Sequence, residues 1–229
     1  MLWTAVGDAL PQAAAIGLSP IPIVLVILVL VSPRARTSGP AFATGWFVGV
    51  FLLTAVVYAL ADGANVSGDP EAADAGSLAQ VLLGVLFVVF AVKQWRKRPR
   101  PGEEPSVPKL VGAIDAMPPL KVLGVGFASA VANPKNLPLG ISAGIVIAGA
   151  GAGAGATPAQ GLGAVVVFSV VASSAVLVAV LAVLILGERT REPLEALKDW
   201  LLVNASTIMV VIFTLLAAKM LGSGLALTK

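Results

Sequence analysis

Apolar residues in this chain come in long unbroken runs, not in the strict alternation of half-buried strands or the every-third-or-fourth spacing of amphipathic helices. The runs cover about residues 9–31, 41–61, 78–95, 122–148, 162–186 and 201–221. Each has roughly the 17–25 residues a helix needs to cross a bilayer, the fourth being longer because it is interrupted. The pattern predicts an all-α polytopic membrane protein with six transmembrane helices.

Two runs carry a polar interruption near their midpoints. In the first it is Ser19-Pro20-Ile21-Pro22, and in the fourth it is Asn133-Pro134-Lys135-Asn136-Leu137-Pro138, which holds that run's only charge. Lys135 lies roughly 20 Å along its run at the helical rise per residue, deep inside a hydrocarbon layer about 30 Å thick. Pro20, Pro22, Pro134 and Pro138 each lack a backbone donor and resist continuation of a helix, so helices 1 and 4 are expected to break at these prolines. Half-helices resuming after Pro22 and Pro138 would then aim free N–H groups at the midplane, where they favour an anion.

Charge placement supplies a direction. The first loop carries Arg34 and Arg36, the third, with its flanks, is densely basic from Lys93 to Lys121, and the fifth carries Arg189, Arg191 and Lys198. The second loop has only acids, Asp62, Asp69, Glu71 and Asp74, and the fourth has no charge. The positive-inside bias therefore puts odd loops in the cytoplasm and both termini outside an inner (plasma) membrane. Every Lys and Arg except Lys135, Lys219 and Lys229 obeys this assignment. The proline- and charge-rich stretch 97–120 reads as a cytoplasmic linker between two three-helix repeats, 1–96 and 121–229. One half starts outside and the other inside, which is the inverted-repeat plan of many secondary transporters.

At 58% hydrophobic and 12% charged residues, with a mean hydropathy of +0.96, the chain is too apolar for an ordinary soluble domain. No basic residue precedes Arg34, so the basic flank of a cleaved signal peptide is missing and the first run is expected to stay as a span. With no cysteine, no histidine, no P-loop and no pair of embedded carboxylates, neither enzymatic chemistry nor a metal, cofactor or nucleic-acid partner is expected.

Lys135 is the sharpest candidate, because a cation at bilayer depth costs at least about 2.5–3.5 kcal/mol and marks a functional site by default. Its partner is expected to be a substrate anion, carbonyls freed by the prolines, or water. A plainer reading has it capping the carbonyl end of its own half-helix. Asn133 and Asn136 add amides beside it, and Ser19 adds a hydroxyl at the other break. Other embedded polar residues, among them Thr54, Tyr58, Ser169, Ser173, Ser174 and Asn204, are expected to pack helices or bond back to their own backbone. The pairs Gly45–Gly49 and Gly124–Ala128 predict close helix contacts. Trp3, Trp46, Trp95 and Trp200 fall near span ends and are expected to anchor at the interface. The Gly/Ala alternation over 148–156 reads as a loop or the frayed end of the fourth span, the alternative being a flexible external flap.

Asn133-Pro134-Lys135 in a fourth span resembles the Asn-Pro-Lys element of the lysine-exporter (LysE) superfamily. The stretch Ala15 to Ile23, with Ser19-Pro20-Ile21-Pro22 at its centre, followed by an Arg-containing loop and Ala43-Thr44-Gly45-Trp46, is similar to one member group, the peptidoglycolipid-addressing protein (GAP) family. The resemblance implies a six-helix transporter that moves glycolipids toward the cell surface. A cationic, amide-lined centre without buried acid suits an anionic or polyhydroxyl head group better than a free amino acid, which would want a counter-carboxylate. The expectation is therefore a lipid or glycolipid exporter working by alternating access, with Lys135, Asn133, Asn136 and Ser19 as its substrate-binding residues. An exporter of amino acids or other small solutes, and a non-transporting accessory protein, are the alternatives. Membrane lipids are the expected partners, together with a second copy of the chain in a homodimer.

Overall fold

The protein's structure, a computed structural model, describes residues 2–63, 70–98, 117–133, 135–152, 155 and 157–226. Among these the chain is helical throughout, with no strand: α1 (Leu2–Gly17), α2 (Pro20–Val31), α3 (Ala35–Gly63), α4 (Pro70–Arg96), α5 (Pro119–Val131), α6 (Asn136–Ala152), α7 (Pro158–Ala172), α8 (Ser174–Leu186), a 3-10 turn (Gly187–Thr190) and α9 (Arg191–Ala226). Large apolar side chains such as Leu52, Val56, Leu60, Leu82, Val89, Val178, Leu181, Ile185, Val203 and Leu215 stand exposed along the outer faces. A water-soluble monomer does not present so much contiguous apolar surface. This is a membrane protein.

By length and hydropathy, two helical stretches among the described residues suffice to cross a membrane, Ala35–Gly63 and Ser174–Leu225. A third is added if α1 and α2, bent by 57° at their junction, count as one span. α5, α6 and α7 are apolar but shorter, so each alone covers only part of a bilayer.

Both expected interruptions are present, and Pro20, Pro22 and Pro138 each fall in the first turn of the helix that follows. The first lies at Leu18–Ser19, with Pro20 and Pro22 already in the first turn of α2. The second lies between Val131 and Asn136, with Pro138 in the first turn of α6. Pro134 lies outside the described residues. First-turn prolines are tolerated because those N–H groups have no intrahelical acceptor to lose. A further interruption was not expected from the sequence: the run 162–186 is divided at Ser173 into α7 and α8.

α3 is the column on which much of the bundle is assembled, packing on α5, α6 and α7. Glycine makes these contacts possible: a Cβ on Gly45 would overlap the Leu123 carbonyl, and one on Gly126 would overlap that of Phe42. A Cβ on Gly49 would lie 2.7 Å from that of Ala130. The expected pair Gly45–Gly49 thus sits at the α3–α5 crossing, but its counterpart is Gly126 and Ala130. Gly124 faces open space and Ala128 is exposed, since they lie on the opposite side of α5. Trp46 is likewise not an interfacial anchor. It is 1% exposed and wedged at the same crossing, whereas Trp3, Trp95 and Trp200 are exposed.

α4 packs chiefly on α9, where Phe87, Phe90 and Phe213 form a ring cluster with centroids 5.4–6.5 Å apart. The Gly/Ala alternation begins as helix, residues 148–152 closing α6, while 153, 154 and 156 lie outside the described residues. Most of the linker 97–120 (99–116) also lies outside them, and its final residues 119–120 open α5.

Candidate functional site

The three interruptions meet inside the bundle. Lys135 Nζ donates to Ala15 O at 3.1 Å, across 120 residues of sequence. Ala15 belongs to the last turn of α1, where carbonyls have no downstream N–H; the amide of Ser19 bonds instead to Ile16 O. The ammonium therefore caps the negative end of the other broken helix, not its own, combining two of the expected partners, a freed carbonyl and a helix C-terminus. Two residues further on, Gly17 packs on the third interruption, where a Cβ would stand 3.2 Å from Ala172 O.

Lys135 is 7% exposed. The ion pairs among the described residues are Arg191–Glu195 and Lys198–Asp199, so no carboxylate neutralises it there. Each interruption also carries one buried oxygen without a hydrogen-bond partner among the described residues: Ser19 Oγ, Asn136 Oδ1 and Ser173 Oγ. A buried polar atom left unpaired costs about 1–3 kcal/mol, so one such atom at each interruption, together with an unneutralised buried ammonium, makes a poor design for packing alone.

The other atoms of these residues fix the local backbone. Asn136 Nδ2 donates to Ala130 O at 3.0 Å, tying α6 to the end of α5. Asn133 Oδ1 accepts from the Lys135 amide at 3.3 Å, a turn-forming bond that sets the loop. Asn133 is half-buried, and its amide is committed to the turn rather than to the centre.

The half-helix N-termini contribute less than expected. Pro20 and Pro22 have no N–H, and that of Ile23 goes to Ser19 O, so Ile21 is the remaining first-turn donor of α2. In α6 the amides of Asn136 and Leu137 both go to Asn133 O, and Pro138 has none. The prolines that favour the interruptions also remove the donors an anion would use. Positive charge at the centre comes from the ammonium.

Sequence reasoning missed three members of this polar interior. Gln12, fully buried in α1, donates from Nε2 to Ser142 Oγ of α6 at 3.1 Å, and Ser142 Oγ in turn lies 3.7 Å from Met220 Sδ of α9. Gln12 Oε1 is unpartnered, like the three oxygens above. Gln12 and Ala15, three residues apart, share one face of α1, and Ser19 follows them across the interruption. Ser173 was expected to serve packing; the signal that marks it is the Ser173-Ser174 pair in an apolar run, a composition at which helices kink. Ser169 and Asn204 do bond back to their own helices, to Val165 O at 2.7 Å and Trp200 O at 2.9 Å.

Comparison with known proteins adds one match. The family model described as Sap, sulfolipid-1-addressing protein, fits residues 9–226. The chain belongs to this family. The match to the sulfolipid-1-addressing family spans both proline-associated interruptions and all six apolar runs, so the site described above lies wholly within it. It agrees with the resemblance to lipid-addressing proteins at the level of the group. No curated protein and no solved structure matches the chain.

Proposed function

We propose that this protein is a transporter, not an enzyme, that exports a lipid or glycolipid with an anionic or polyhydroxyl head group across the inner membrane. The supporting observation is the buried Lys135 ammonium, which has no carboxylate among the described residues and joins two interrupted helices through the Ala15 carbonyl. The family's description, addressing of a sulfolipid, fits a cargo whose anionic group seeks a cation and whose sugar seeks hydroxyl and amide partners.

In this reading α1–α2 and α5–α6 are spans one and four of six, built as two inverted three-helix repeats on the plan of the lysine-exporter superfamily, with both termini outside. A head-group anion reaching the centre competes with Ala15 O for the ammonium and releases α1 from α6. Ser19, Asn136 and Ser173 supply the acceptors and donors for its hydroxyls, and Asn133 holds the loop that carries Lys135. Loosening the Lys135–Ala15 bond is the step that couples cargo binding to rocking of the repeats. A homodimer bedded in membrane lipids completes the proposal.

Reconstitution into vesicles with a labelled anionic glycolipid tests it. Lys135→Met, close in volume and uncharged, is expected to lower the rate at least about tenfold, the scale of one lost charge-assisted hydrogen bond, while thermal unfolding in detergent stays near that of the parent. Equal rates for variant and parent would remove Lys135 from the mechanism. No lipid movement by the parent, with stable co-purification of another protein, would favour an accessory role. Efflux of labelled amino acids would favour a small-solute exporter.

A further inference from the structure

A second polar feature lies far from Lys135 in sequence and belongs to none of the interruptions. Between the α2–α3 turn and the 3-10 turn after α8 is a cavity of about 530 Å³. Its lining divides by chemistry: Leu30, Val31 and Val183 form an apolar wall, while Arg36, Glu188 and Arg191 supply charge. Leu30 and Val183 are buried, so the wall is fixed by the bundle, whereas both arginines are exposed at the opening.

The cavity also sits at a defined level. α8 is apolar through Leu186, and Ile185 and Leu186 project outward at 77% and 54% exposure immediately before the charged turn begins at Gly187. Hydrocarbon-facing side chains thus adjoin the cavity on the side where charge starts, which is the head-group level of a bilayer. Gly187 has φ +58°, a left-handed conformation open to glycine, at the point where α8 gives way to the 3-10 turn, and Glu188 and Arg191 beyond it both line the cavity. The Arg36 guanidinium has no ion-pair partner among the described residues, and Arg191 engages Glu195 through Nε only, at 3.2 Å.

We infer that this cavity is a docking site for the head group of an anionic, hydroxyl-bearing lipid, held by Arg36 and Arg191 at its sulfate or phosphate, by Glu188 at its hydroxyls, and by Leu30, Val31 and Val183 along its glycerol and upper acyl carbons. Arg36 is free of ion pairs among the described residues and Arg191 keeps its terminal guanidinium nitrogens outside the bond to Glu195, so both offer donors to the cavity, and the planar fork of arginine matches the oxygens of a phosphate or sulfate. The apolar wall selects a lipid over a free anion, and basic pockets between membrane helices take such head groups. Both arginines belong to loops expected on the cytoplasmic face, so under the export reading, on which the direction of travel rests, the site collects cargo from the inner leaflet before Lys135 acts on it.

The test uses the full chain in detergent, titrated with phosphatidylglycerol, phosphatidylcholine or sodium phosphate and read by native mass spectrometry. The parent is expected to retain phosphatidylglycerol in preference to both other probes. Arg36→Gln with Arg191→Gln is expected to weaken that binding about tenfold or more, and Val183→Trp, which fills the apolar wall, to weaken it as well. Arg34→Gln, in the same loop but outside the cavity lining, leaves it unchanged. Unaltered phosphatidylglycerol binding in the double arginine variant overturns the inference, as does binding of phosphate as tight as that of lipid. Lys135→Met separates the two claims. It should keep the bound lipid while losing transport, whereas transport at the parent's rate with lipid still bound sinks the Lys135 mechanism and leaves this site standing.

Discussion

A lysine held by one carbonyl in the interior of a membrane protein is a poor structural element. A methionine or leucine there would pack as well without the penalty of burying an ammonium. The same argument extends to Gln12, whose amide oxygen is buried and unpaired while its nitrogen reaches Ser142. Gln12→Leu removes an unsatisfied group and leaves Ser142 its contact with Met220. It is expected to hold stability within about 1 kcal/mol, by thermal unfolding in detergent, while slowing lipid movement in vesicles; an unchanged rate would make Gln12 a packing residue. Lys135, Asn136 and Ser19 were legible in the sequence because charge, amide or hydroxyl beside proline in the middle of an apolar run has few explanations. Gln12 was not, because it lies near the start of its run, where polar residues are ordinary, and its partner is 130 residues away. The bond from Lys135 to Ala15 O was equally hidden, since the acceptor is a backbone atom of an alanine.

Among the helices, the decisive packing is done by missing side chains. Gly45 and Gly126 bring the backbones of α3 and α5 into direct contact, and no rotamer change relieves a Cβ that overlaps a carbonyl. Gly45→Leu is therefore expected to cost more than the about 1–3 kcal/mol typical of overpacking and to lower the unfolding midpoint in detergent. Gly124→Leu, with open space around it, should leave the midpoint nearly unchanged; the reverse order would contradict the α3–α5 register. Small-residue spacing revealed that α3 and α5 approach closely, but not which side of α5 does so. A shift of two residues turns the face by about 200°, and an apolar run surrounded by lipid shows no polar side to set the phase. The interruption at Ser173 escaped notice for a related reason: serine bonds back to its helix without breaking it far more often than it marks a kink. Helix ends run past the apolar windows, α3 from Ala35 and α9 from Arg191, because hydropathy marks the hydrocarbon and not the helix.

At the scale of the whole molecule, the two basic stretches that hold Arg36 and Arg191 line a single cavity and so lie at the same end of the bundle. The interior is connected across the chain, with Lys135 tied to α1 and Gln12 to α6, and an exposed bond joins Lys219 of α9 to the Asp8 carbonyl of α1 at 2.7 Å. Among the described residues the molecule has a charged cavity at one end and one buried ammonium, Lys135, the layout on which the proposed lipid export rests. The most direct test is an experimental structure of the full chain in nanodiscs containing the anionic glycolipid proposed as its cargo. Head-group density within about 3 Å of Lys135 Nζ, with the bond to Ala15 O opened, is the predicted result. Lys135 still seated on Ala15 O, with lipid density confined to the outer surface of the bundle, would contradict it.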